Sequence, residues 1–134
     1  YFSVARRSLN KKGIFFLDLM GGTDSMGLEE TTRAMGGYKY IWDQDKYNPI
    51  TNELLCYIHY RFPDKTQHRK AFTYDWRLWT IAELQDVLRE VGFRRVDVYW
   101  EGTNKKTREG NGRFRKVKTA YNDPSWVSYV VAIP

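Results

Sequence analysis

Between Gly13 and the pair Gly21-Gly22 the chain runs Ile14-Phe15-Phe16-Leu17-Asp18-Leu19-Met20, seven residues with a single charge. A run of that length is far short of the roughly 20 residues of a membrane span. Its continuous hydrophobicity predicts a strand buried on both faces, in the middle of a sheet covered by helices. Tyr1 to Leu9 reads as the end of a helix, with Phe2, Val4 and Leu9 on its apolar face and Asn10-Lys11-Lys12-Gly13 as its stop. Helix, glycine, buried strand and glycine turn make half of a βαβ unit. The strand expected before that helix is missing, so the sequence reads as a fragment of a larger α/β domain.

Farther along, Thr23 to Gly37 is polar and broken by glycines, which predicts a loop with one helical turn near Glu29 to Arg33. The character then changes. Tyr38 to Trp42, Leu54 to Phe62 and Lys70 to Tyr74 are strand-like and aromatic, separated by turn-forming Asn48-Pro49-Ile50-Thr51-Asn52 and Pro63-Asp64-Lys65. They predict an antiparallel meander. In its middle strand Leu55, Tyr57, His59 and Arg61 alternate with Leu54, Cys56, Ile58, Tyr60 and Phe62, so one side of the sheet should be covered and the other wet.

The clearest helix is Thr80 to Val91. Thr80 and Glu83 have capping-box spacing, Ile81, Leu84, Val87, Leu88 and Val91 form the stripe, and Gly92 supplies the stop. Arg95 to Glu101 and Trp126 to Ile133 read as the closing strands. Three segments follow: a core portion over 1–37, the β insertion over 38–79, and a core portion over 80–134.

Charge adds less than the pI of about 9.4 suggests. Between Thr103 and Lys118 lie seven basic residues (Lys105, Lys106, Arg108, Arg113, Arg115, Lys116, Lys118) and one acid, Glu109, which accounts for the entire net charge of +6. With Gly110 and Gly112 inside it, this stretch reads as a solvated mobile loop, or as a contact for an anionic substrate or nucleic-acid phosphate. A single cysteine, Cys56, excludes an internal disulfide and suits a reducing cytoplasm.

Two segments carry a resemblance in order and spacing. Leu9-Asn10-Lys11-Lys12-Gly13-Ile14-Phe15-Phe16-Leu17-Asp18 resembles the approach to the fifth strand of class I S-adenosylmethionine-dependent methyltransferases. Thr80-Ile81-Ala82-Glu83-Leu84 through Leu88-Arg89-Glu90-Val91-Gly92-Phe93 is similar to the helix before that family's sixth strand. The resemblance covers about residues 1–37 and 76–134. It implies the C-terminal part of a Rossmann-like sheet (strands 5, 6 and 7, the last antiparallel) with residues 38–79 as a substrate-side insertion. It also implies S-adenosylmethionine as cofactor of the whole protein. The family's acidic-then-G-x-G-x-G turn has no match here: Gly21-Gly22, Gly36-Gly37 and Gly110-Asn111-Gly112 lack a strand before and a helix after. The main cofactor contacts are therefore expected upstream of Tyr1, and the fragment alone should be inactive.

Ligands of open α/β sheets sit beyond the carboxyl ends of parallel strands, which would place Asp18 to Gly22, Trp100-Glu101-Gly102 and the start of the last strand, Asp123 to Trp126, on one rim. Substrate-binding candidates are Trp42, Asp43, His59, Tyr74, Asp75, Trp76, Arg77 and Glu101. Within Phe72 to Trp79, Trp76 and Trp79 could wall a pocket, or the segment could form an aromatic joint. Asp43 could face substrate or cap a turn, and Asp75 could pair with Arg77. His59 could be a general base, since its ordinary pKa lies near neutrality, although a lone strand histidine is more often structural. Cys56 reads as a buried small hydrophobe, and no paired-ligand spacing for zinc exists. No catalytic residue is assigned; an activated sulfonium donor needs alignment more than a catalytic triad.

A second reading is a self-standing module that stacks RNA or single-stranded DNA bases on the aromatic meander and contacts phosphates through residues 103–118. The partners expected under the first reading are an unidentified methyl acceptor and the missing N-terminal half. A truncated sheet should also self-associate through the exposed edge of Ile14 to Met20.

Overall fold

In the computed structural model, which describes residues 1–107 and 109–134, the chain forms two units, Tyr1–Ser25 with Trp79–Pro134, and Met26–Leu78. Each contains one four-stranded antiparallel sheet, and both helices belong to the first unit. Arg108 of the basic run lies outside the described residues.

The first unit contains α1 (Phe2–Ser8), β1 (Phe15–Gly21), a 3-10 turn at Thr23–Met26, α2 (Ile81–Glu90), β6 (Arg95–Thr103), β7 (Gly110–Val117) and β8 (Trp126–Ile133). The inserted unit contains β2 (Glu30–Met35), β3 (Tyr38–Asn48), β4 (Glu53–Arg61) and β5 (Gln67–Arg77).

The first sheet has the order β1-β8-β6-β7. β8 is antiparallel to both β1 and β6, so those two strands run the same way with the last strand between them. Phe15, Leu17 and Leu19 of β1, Val96 of β6 and Val130 and Ala132 of β8 share the face that packs on Leu88, Val91 and Phe93. Leu88 is fully buried, so truncation to Ala should cost about 2–5 kcal/mol. The α2 start is as its sequence requires: Thr80 Oγ1 accepts the Glu83 N–H at 3.1 Å and Glu83 Oε2 accepts the Thr80 N–H at 2.8 Å.

β1 corrects the expectation of a strand buried on both faces. It is an edge strand with β8 as its neighbour, and Phe16, on the face away from the helices, is 57% exposed. Its continuous hydrophobicity misled because Ile14 and Phe16 are apolar without being covered. The basic run is also more ordered than expected. Its second half is β7, paired with β6, and Lys116 Nζ lies 2.8 Å from Asp97 Oδ1. All the ladders among the described residues are antiparallel, so the expected antiparallel last strand is present and no parallel strand pair of a Rossmann-like sheet is shown.

The inserted unit is a meander, β2-β3-β4-β5. Its first strand replaces the expected loop and helical turn: β-branched Thr31 and Thr32 suit a strand, and Gly36-Gly37, both at positive φ (29° and 125°), close a two-residue hairpin onto Tyr38. The expected wet side of β4 is not uniformly wet. Tyr57 and His59 are buried as fully as Ile58 on the opposite face.

Candidate functional site

In the first unit the carboxyl ends of β1 and β6 and the start of β8 form one rim. Gly21 is opposite Trp126, Trp100 is opposite Ser128, and the Trp100 and Trp126 rings are 4.9 Å apart. The two glycines are dictated locally. A Cβ on Gly21 would overlap the Trp126 ring, while Gly22, at φ +101°, lies so close to the Pro124 carbonyl that a Cβ would strike it. The turn is then pinned. Asp24 N–H donates to Pro124 O at 2.9 Å, and the Ser25 hydroxyl donates to Gly22 O at 2.6 Å.

Glu101, expected on this rim to face substrate, is tied into the basic hairpin: its Oε1 accepts the Gly112 N–H at 2.7 Å, and its carboxylate packs where a Cβ on Gly110 would be. The other seven candidates belong to the inserted unit, and strand register divides them between two faces. Trp42 is opposite Ile58, Ile58 opposite Phe72, and Tyr74 and Trp76 follow at alternate positions, so these rings share one face. Asp43 is opposite Tyr57, and His59, Asp75 and Arg77 lie on that second face. The sheet thus separates Trp42 and Tyr74 from Asp43 and His59, while at the strand end Asp75 and Trp76 still border one groove.

On the first face Tyr74 and Trp76 have ring centroids 4.4 Å apart, and Trp42 packs on both at 5.8 and 6.1 Å. Trp76 remains 41% exposed. Trp42 is fixed from its own strand, its indole N–H donating to Gln44 Oε1 at 3.2 Å, and the Gln44 amide donates in turn to the Gly27 carbonyl. Sequence reading overlooked Gln44; its only signal was a polar residue placed among aromatics at strand spacing.

On the second face His59 Nε2 is 3.0 Å from Asp43 Oδ2, and His59 Nδ1 accepts the Lys70 backbone N–H at 2.6 Å. Because a backbone N–H can only donate, the ring proton resides on Nε2 and points at Asp43. Lys70 sits in a bulge of β5 at φ +52°, where its N–H leaves the ladder and finds the imidazole instead. Both nitrogens of His59 are therefore committed, and the Asp43 carboxylate, at 21% side-chain exposure, is the member of the pair open to a ligand. Asp75 lines two shallow grooves: one of ≈ 510 Å³ with Leu28, Tyr47 and Leu54, and one of ≈ 470 Å³ with Ile50, Trp76 and Arg77. Cys56 is fully buried, and burial, with a contribution from Asp43, pushes its thiol up to about 11, so it is no nucleophile at neutral pH.

A cradle for an adenosyl cofactor is not built by these residues. Gly21-Gly22 is filled by Trp126 and Pro124, Gly36-Gly37 is a hairpin turn, and Gly110 is packed by Glu101. Among the described residues no cluster of three or more His, Cys, Asp or Glu could hold a metal, and no helix is long and apolar enough to cross a membrane.

No family model matches the sequence, and no curated protein does. Among solved structures, the fold is similar to that of a S-adenosylmethionine-dependent methyltransferase from Clostridium acetobutylicum ATCC 824, with a TM-score of 0.55 at 12% identity. The match covers 99% of this chain and 49% of that one, so the chain spans about half the length of the structure it resembles, and the likeness is one of fold.

Proposed function

We propose that this chain is the acceptor-side portion of a S-adenosylmethionine-dependent methyltransferase, with the cofactor contacts supplied by a portion preceding Tyr1. The observation that carries the reading is β8, antiparallel between the co-directional β1 and β6, which brings Gly21, Trp100 and Trp126 to one rim. That arrangement fits the end of a Rossmann-like sheet whose earlier strands would continue from the free edge of β1. The fold likeness over nearly the whole chain supports it, as does the place of the inserted unit between Ser25 and Trp79.

Within the inserted unit, Trp42, Tyr74 and Trp76 form the wall for the acceptor, since they are packed on one another and still partly exposed. Asp43 and His59 hold the opposite face together. Calorimetric titration tests the reading: the full-length protein should bind S-adenosylmethionine, and the 134-residue chain alone should not. Absence of binding by the full-length protein would end it.

A further inference from the structure

The inserted sheet is polarised in charge, and its basic end coincides with a second aromatic cluster. Residues 33–40 and 60–70 contain six cations, Arg33, Lys39, Arg61, Lys65, Arg69 and Lys70, against one acid, Asp64. That carboxylate is already occupied by the Thr66 N–H and hydroxyl, at 3.0 and 2.6 Å. Residues 41–59 and 71–77 of the same unit reverse the balance, with Asp43, Asp45, Glu53 and Asp75 against Lys46 and Arg77.

At the basic end Tyr40 is opposite Tyr60, and Tyr38 packs on Tyr60 and Phe62 at 5.5 and 6.3 Å. Arg33, opposite Tyr40, shares that ring-bearing face, which receives no carboxylate from β2, β3, β4 or β5 up to their register ends. Tyr38 and Phe62 are 38% and 41% exposed, so their rings are available to a ligand. Lys39 and Arg61 stand directly opposite each other on the reverse face.

We infer that this end of the inserted sheet, built on Tyr38, Tyr40, Tyr60 and Phe62, is a docking surface for single-stranded nucleic acid. Rings accept unpaired bases by stacking, which duplex DNA does not offer, and Arg33 on the same face, with Lys65 in the turn after Phe62, meets the phosphates. The surface adjoins the proposed acceptor wall, since Tyr40 and Trp42 share one face. It uses no rim residue and none of Trp42, Tyr74 or Trp76, so its test can fail without touching the methyltransferase reading. It also assigns nucleic-acid binding to the inserted sheet instead of the basic hairpin of residues 103–118.

Fluorescence anisotropy of the full-length protein with a labelled oligothymidylate of about twelve nucleotides, at low salt, tests it. The single strand should bind more tightly than its duplex. Tyr38→Ala and Phe62→Ala, at exposed positions, should each weaken binding about fivefold or more. Arg33→Gln with Lys65→Gln should reduce the salt dependence, while Lys105→Gln with Lys106→Gln leaves affinity unchanged. Undetectable binding, equal binding of duplex, loss only with the hairpin variant, or equal competition by polyglutamate would each overturn the inference. Circular dichroism of the two ring variants excludes unfolding as the cause of a loss.

Discussion

His59 and Asp43 are joined at 3.0 Å across the second face of the inserted sheet, and the bond is directional because Lys70 fixes the imidazole from its other side. The ring closes a bulge that would otherwise leave a backbone donor unpaired beside a residue at positive φ. His59→Ala should therefore cost about 1–3 kcal/mol, removing the acceptor for one part-buried donor and the donor for a half-buried carboxylate. Denaturant unfolding measures the loss, and nitrogen NMR should find the proton on Nε2. A loss under 1 kcal/mol, or a proton on Nδ1, would contradict this geometry.

Gly22 and Gly92 form a matched pair, at φ +101° and +96°. A Cβ at Gly92 meets nothing within 4 Å, whereas one at Gly22 strikes the Pro124 carbonyl. Gly92→Ala should cost about 1–2 kcal/mol for the backbone conformation alone. Gly22→Ala should add about 1–3 kcal/mol of overpacking, read from the two denaturation midpoints. Equal losses would mean that the Gly22–Pro124 approach is not rigid.

The capped helix was legible because Thr80, Glu83 and Gly92 act within a few residues of one another, and local rules decide there. The rim was legible for a related reason: once Trp126 begins an antiparallel last strand, topology places it beside Gly21. β2 was missed because six exposed residues carry no burial pattern, although Gly36-Gly37 before an aromatic run is a hairpin signal. Six of the eight substrate candidates are sequence neighbours, Trp42-Asp43 and Tyr74 to Arg77, but adjacent strand residues face opposite ways. Trp42 and Asp43 could therefore never line the same surface.

Cys56 gives the protein an alkaline liability. Its thiol titrates near 8.5 when unfolded, and burial holds it at about 11 in the fold. The folded state keeps the proton longer, so this stabilisation is complete below pH about 8.5 and is lost as pH rises toward 11. Tyr40, pushed upward chiefly by burial, acts in the same direction. The denaturation midpoint should fall between pH 8.5 and 11, and Cys56→Ala should flatten the fall without abolishing it. A Cys56→Ala slope identical to that of the parent would remove the thiol from the explanation.

The two edges of the first sheet are guarded very differently. β7 carries Arg113, Arg115 and Lys116 over Gly110–Val117, and Lys116 is drawn to Asp97, which also lies 3.2 Å from Arg95. Cations on an edge strand oppose pairing with another chain. β1 has Asp18 as its one charge between Phe15 and Gly21, with Phe16 exposed beside Tyr129 at a ring distance of 4.7 Å. Unpaired backbone and apolar side chains together make β1 the edge that recruits a strand. The isolated 134-residue chain should therefore elute at an apparent mass that rises with concentration, and Phe16→Lys should return it to a monomer. Asp97→Asn, which loosens β7 while leaving β1 intact, should lower amide protection over 110–117 with little change in association. A monomer at every concentration would show that β1 needs no partner, and association abolished by Asp97→Asn instead of Phe16→Lys would move the contact to the guarded edge.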